Sequence, residues 1–139
     1  NLVKIERLIA YLKYKKIQKE IIVKEEDTAI KHKSGEVNVL STPRLLALME
    51  EVSYESVKEF LPLGYVSVGI EMHIYHLKAS AIGQKITCES CFTKQEGKKL
   101  FFSVTVSDDN TKIGEGTVIR YIVEKNHFEE KAKNNLEEK

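Results

Sequence analysis

The strongest constraint in this sequence is a change of period at Pro62 and Gly64. Before it, Leu45, Leu48, Met49, Val52, Ser56 and Phe60 recur at about 3.6-residue spacing, with Leu46, Ser53 and Val57 widening the stripe; beyond it, apolar residues recur at every second position. The first pattern predicts one amphipathic helix over Arg44 to Leu61. It opens at Ser41-Thr42-Pro43, where a hydroxyl precedes a proline that suits the first helical position, and Pro62 and Gly64 close it.

The second pattern predicts four antiparallel strands. Tyr65 to Lys78 sets Val66, Val68, Ile70, Met72 and Ile74 on one face against Ser67, Gly69, Glu71, His73 and Tyr75 on the other. Gln84 to Gln95 alternates Ile86, Cys88, Ser90 and Phe92, and a turn at Glu96-Gly97-Lys98 leads to Leu100, Phe102, Val104 and Val106. After Asp108-Asp109-Asn110, the strand from Lys112 to Val123 contains Gly114 and Gly116, which predict a bulge or a close backbone approach. An earlier strand, over Lys19 to Glu26, carries Ile21, Ile22 and Val23. The economical packing is α+β, with a curved antiparallel sheet wrapped around the long central helix, which is the layout of the hot-dog fold.

At 139 residues the chain fits one such domain, predicted over residues 16–125. Residues 1–15 read as an amphipathic extension, because Leu2, Ile5, Leu8, Ile9 and Leu12 recur at spacings of three and four among Lys4, Arg7 and Lys13; a basic helix of this kind suits docking on the domain or on a partner subunit, the favoured reading, or lying on a membrane surface. Residues 126–139 are mostly charged and read as a frayed helix or mobile tail. Lys and Arg number 22 against 21 Asp and Glu, so no global field favours nucleic acid and partners must be recognised locally. Two cysteines are too few for a secreted disulfide framework. No apolar run reaches the roughly 18 to 20 residues of a membrane span, and no signal-peptide pattern opens the sequence, so the expectation is a cytoplasmic protein with no membrane span.

Several residues invite chemistry. His73 and His76 resemble a metal pair, but three positions apart on a strand they face opposite ways, and the same geometry separates Cys88 from Cys91. Gly114-x-Gly116 is too short for a dinucleotide fingerprint, so the pattern calls for neither metal nor cofactor. His76 continues the row through Met72 and Ile74, and is either a satisfied core residue or a proton-transfer group, whereas His73 shares a face with Glu71 and Tyr75. Thr42 is first of all an N-cap, yet a helix N-terminus also stabilises developing negative charge. Glu50 sits at the border of the apolar stripe, where it is a solvated rim residue or a partly buried base.

Three pieces together resemble the thioesterase-like hot-dog family that includes the fluoroacetyl-CoA thioesterases. They are Ser41-Thr42-Pro43 with Leu48-Met49-Glu50; Ser67-Val68-Gly69-Ile70 running to His76-Leu77-Lys78-Ala79 with Gly83; and Ile113-Gly114-Glu115-Gly116-Thr117 with Arg120. The match covers about Lys19 to Lys125. The resemblance implies a homodimer, an acyl-CoA thioester substrate, hydrolysis to the free acid and CoA, and a catalytic group carried onto Thr42, Glu50 and His76. It also implies an oxyanion donor near Gly69 and a substrate-lining role for Arg120. A non-catalytic hot-dog module that binds an acyl-CoA is the alternative. The fluoroacetyl-specific members have an aromatic gate ahead of the threonine, while Gly35 to Leu40 holds no aromatic residue here, and Pro43 stands where the fluoroacetyl enzyme has glycine. If Thr42 and Glu50 share one straight helix, they lie about 12 Å apart along its axis. The chain must then bend after Thr42, or His76 must bridge them, or the site must draw on two subunits.

Overall fold

Five strands, β1 (Lys16–Ile22), β2 (Tyr65–His76), β3 (Lys85–Glu96), β4 (Lys99–Ser107) and β5 (Lys112–Glu124), are joined by a central helix (Thr42–Lys58) and followed by a C-terminal helix (Lys125–Glu137). In the sheet the strands run in the order β1-β3-β4-β5-β2, every neighbouring pair antiparallel. They belong to a computed structural model that describes residues 15–137. The amphipathic stripe predicted from Leu2 to Leu12, within the extension over residues 1–15, lies outside the described residues.

The helix buries Leu45, Leu48, Met49 and Val52 against the inner face of the sheet, where Ile86, Leu100, Phe102 and Val104 are equally buried. In β3 and β4 the alternation follows the sequence pattern, since Ile86, Cys88, Ser90 and Phe92, then Leu100, Phe102, Val104 and Val106, all turn inward. The helix stops at Lys58 rather than at Leu61, and the chain breaks off ahead of Pro62, whose ring disfavours helical backbone in the residue before it. Strand β1 lies upstream of its expected span. Glu25–Asp27 forms a 3₁₀ turn instead, stabilised by the Asp27 carboxylate accepting the Lys24 N–H at 2.8 Å. The charged end forms a helix tied to the domain by the Lys125 N–H, which donates to the Gly64 carbonyl at 2.9 Å. No helix among the described residues is long and apolar enough to cross a membrane.

Strand β2 departs from the alternation predicted for it. Gly69 pairs with Arg120 and Glu71 with Ile119, which leaves Ile70 without a partner in β5. One extra residue inverts every side chain beyond it. Ser67 is therefore buried, Gly69 faces the helix, and Ile70 is half-exposed, whereas Met72, Ile74 and His76 face inward after the bulge. The expected single row from Val66 to His76 is corrected accordingly: its first half points the other way.

Two features fix where β2 ends. A Cβ on Gly116 would run into the His73 carbonyl oxygen and lie 2.9 Å from Ile74 Cα, and one on Gly114 would lie 2.9 Å from Leu45 Cδ2, so both glycines mark close approaches. Beyond His76, the Asp108 carboxylate accepts the Thr111 and Asn110 N–H groups at 2.7 and 2.8 Å and the Lys78 amine at 3.0 Å. Those donors hold its pKa well below the usual carboxylate range.

Gly116→Ala is expected to prise β5 from β2 and to cost roughly 1–3 kcal/mol. A lower urea midpoint at unchanged slope is the readout, and an unchanged midpoint would show that the strands can separate freely there.

Candidate active site

The central helix begins with a division of labour between two hydroxyls. Ser41, not Thr42, is the N-cap: its Oγ accepts the Arg44 N–H at 3.0 Å, and its carbonyl accepts the Leu45 N–H at 3.0 Å. Thr42 is the first helical residue, which corrects the N-cap expectation and leaves its hydroxyl free. That hydroxyl meets His76 Nδ1 at 2.8 Å. The pair is set by staples on either side. The Leu40 N–H donates to the Ser80 carbonyl at 2.9 Å, and the Leu77 N–H to the Ile113 carbonyl at 2.8 Å, so the segment entering Thr42 is pinned to the segment leaving His76.

Burial lowers the pKa of His76, against a smaller opposing contribution from the Lys78 backbone. The ring is neutral at pH 7 and carries one hydrogen. Nδ1 and the Thr42 hydroxyl share one hydrogen bond whose donor depends on the ring tautomer, and Nε2 is buried with no hydrogen-bond partner among the described residues. A hollow of about 380 Å³ opens beside the pair. Larger concavities lie elsewhere, including one of about 590 Å³ under the C-terminal helix, but the hydroxyl–imidazole contact rather than size selects the candidate site.

Glu50 forms a second cluster. Its carboxylate lies 3.5 Å from Arg120 Nη1, and the Arg120 guanidinium also donates to Ser67 Oγ at 2.8 Å and the Ser67 carbonyl at 2.7 Å. The Tyr54 ring stands 5.5 Å from the guanidinium carbon. Burial lowers the pKa of Arg120, while Glu50 and then Tyr54 oppose that shift. Gly69 completes the cluster, since a Cβ there would collide with the Glu50 carboxylate. Arg120 is thus turned onto Ser67 and Glu50 and does not line the hollow beside His76.

The two clusters are far apart in one chain. Thr42 and Glu50 share an unbroken helix, so about 12 Å of rise separates them. Gly69 lies mid-strand and His76 at the end of β2, roughly 20 Å apart at ~3.3 Å per residue. The structure brings Thr42 to His76, and Glu50 to Gly69 and Arg120, but does not bring Glu50 to His76. The sequence pattern missed Ser67, which it placed on the outer face, and Tyr54, which it set opposite the apolar stripe.

The other candidates separate. His73 donates to the Glu71 carboxylate at 2.9 Å on the exposed face, away from His76. No group of three potential metal ligands occurs among the described residues. Burial first, then Glu51 and Glu89, push the Cys88 thiol up to about 12, so it is no nucleophile at neutral pH.

The sequence profile of the fluoroacetyl-CoA-specific thioesterases, FlK, matches residues 23–126. The chain belongs to this family. Its fold is the hot-dog fold of thioesterase superfamily structures. FlK itself superposes with a TM-score of 0.83 at 21% identity, over 88% of this chain and 95% of that one. A FlK structure in complex with fluoroacetate and CoA gives 0.79 at 21% identity, over 84% and 98%. A thioesterase superfamily member from Thermus thermophilus gives 0.83 at 20% identity, over 91% and 96%. No curated protein matches the sequence.

For this family member, the lowered pKa of His76 predicts a titration midpoint below the ordinary 6.5. Below that value the unfolded chain takes the proton more readily than the folded one, so stability falls as pH drops through about 6.5 and levels off once folded His76 is protonated too. NMR titration of the ring reads the midpoint directly, and a midpoint above 6.5 would mean that another charge outweighs burial.

Proposed function

We propose that the protein hydrolyses a short or modified acyl-CoA thioester to the free acid and CoA. The observation that carries this reading is the 2.8 Å contact between Thr42 Oγ1 and His76 Nδ1 at the edge of an open hollow, in a member of a thioesterase family. The Thr42 hydroxyl donates to neutral His76. As its oxygen bonds to the thioester carbonyl carbon, the proton passes to Nδ1 and charge collects on the carbonyl oxygen. The N-terminal end of the helix dipole lies beside that charge. Collapse breaks the C–S bond, and the imidazolium returns the proton to the departing CoA sulfur. Water then gives a proton to His76 as it attacks the acyl-threonine, and the imidazolium returns that proton to the departing Thr42 oxygen as the acid is released.

An imidazolium formed this way needs a carboxylate at Nε2, and a second copy of the chain can supply it. Strand β2 is the sheet's long free edge, with a row of backbone groups on its open side suited to pairing with another strand. A two-fold axis through His73 sets Met72 opposite Ile74 and Glu71 opposite Tyr75. Passing the Ile70 bulge, it then sets Gly69 of the partner subunit opposite His76. This register keeps inward residues opposite inward residues throughout, as antiparallel pairing requires. Glu50 lies over Gly69 within each chain, so the partner subunit's Glu50 would reach the unpartnered Nε2, and the Gly69 backbone N–H of the partner subunit would serve as the second oxyanion donor. Arg120 positions that carboxylate.

Two experiments test the reading. Thiol release from a panel of acyl-CoA thioesters should fall about 10²- to 10⁴-fold in Thr42→Ala and in His76→Ala; turnover untouched by either change would place the chemistry elsewhere. Mixing inactive Glu50→Gln and His76→Ala dimers should restore about a quarter of native activity, since half the dimers become mixed and each then holds one complete site. Mixed dimers without recovery would confine each site to one chain.

A further inference from the structure

Half of the residues around the hollow beside Thr42 and His76 are aliphatic, Ala29, Val37, Val39, Leu40, Leu77 and Ala79, and the others include Ser34, Ser41 and Lys78. Two of them are unusually open for apolar residues, Val37 at 57% exposure and Leu77 at 54%. They stand on the two segments that present the reactive pair, one shortly before Thr42 and the other directly after His76. Exposed apolar residues scattered singly need no explanation, but two lining one hollow at a nucleophile do.

The wall is preformed. The Ala29 N–H donates to the Val39 carbonyl at 2.9 Å, the Leu40 N–H donates to the Ser80 carbonyl at 2.9 Å, and Val39 bridges to Ala81. Such a surface binds without the cost of ordering a loose loop. It also offers little to a charged group. Lys78 is the cation in its lining, and the Lys78 amine is held 3.0 Å from both Asp108 Oδ2 and Thr111 Oγ1. Arg44, on the first turn of the helix, is held by Asp27 at 2.9 Å.

We infer that this lip is the acyl subsite, that it takes an uncharged aliphatic chain of several carbons, and that Val37 and Leu77 set the chain-length preference. The inference rests on the thioester reading, because the Thr42–His76 pair fixes where the carbonyl carbon must lie. From that point the chain can run along the lip and cover both exposed side chains, whereas a two-carbon acyl group leaves them in water.

The test is calorimetric binding of non-hydrolysable S-ethyl-, S-butyl- and S-hexyl-CoA to the full chain. Affinity should rise about two- to four-fold per added methylene, the upper figure corresponding to ~0.8 kcal/mol for a fully buried CH₂. An S-alkyl-CoA ending in a carboxylate should bind more weakly than its methyl-ended counterpart. Val37→Ser and Leu77→Ser, both at exposed positions, should flatten the slope. A flat slope in the native protein overturns the inference, as does an unchanged slope in both variants. Variants that dissociate a dimer while keeping the slope would assign the lip to the subunit contact and overturn it too. Rising affinity without thiol release from any acyl-CoA would remove the hydrolase reading and keep the subsite; thiol release with flat affinity would remove only the subsite.

Discussion

Because Ile70 has no partner in β5, strand β2 turns over between Gly69 and Glu71, and both halves of the candidate site depend on that inversion. Upstream of it, Ser67 and Gly69 face the helix, so Arg120 finds an acceptor and Glu50 finds room. Downstream, Met72 and Ile74 seal the core and His76 arrives inward at the strand's end, against the hydroxyl that opens the helix. Without the bulge, either Gly69 or His76 would point to solvent. The glycine matters at this one position because any side chain there would occupy the space of the Glu50 carboxylate.

The electrostatics of the two clusters are opposed. Arg120 is buried, and a guanidinium in that setting is tolerable only when its donors are met; Ser67, Glu50 and the face of Tyr54 meet them. Glu50 keeps a 41% exposed side chain, which leaves it room to engage a second cation. His76 is in the complementary position: neutral, partly desolvated, and without a partner at Nε2 among the described residues. If His76 gains charge as in the proposed mechanism, a carboxylate with capacity to spare is its natural partner, and one chain keeps the two apart.

The helix, the inner rows of β3 and β4, and the close approaches at Gly114 and Gly116 were legible in the sequence, since each depends on local period or on the absence of a side chain. The inner face of β2 was not. A bulge is stabilised by pairing and packing against β5 and the helix, and neither Ile70 nor its neighbours announce it. The cap was misread for a related reason: Ser41 and Thr42 are both good N-cap residues, and only the path of the chain decided which one bonds the Arg44 N–H. Thr42, Glu50 and His76 were picked out by family resemblance. Helix rise alone already set Thr42 apart from Glu50; what the sequence could not supply was that His76 meets Thr42 and not Glu50, because that depends on strand register.

The free edge of β2 ties folding to chemistry. A strand of 12 residues with one side unpaired among the described residues is a standing invitation to another strand, and natural sheets blunt such edges with charge, proline or bulges or else cover them. Here Glu71 and His73 bond each other on the outer face, and no proline interrupts the strand. The proposed dimer would cover this edge, and the bulge limits how that can be done. Only a register that lets each bulge be skipped keeps the inward rows of both copies in phase, and that register is the one that sets Gly69 against His76. Protection of the edge and completion of the site are, on this reading, a single association event, which explains why a carboxylate so distant from its histidine within one chain would still belong to the same reaction.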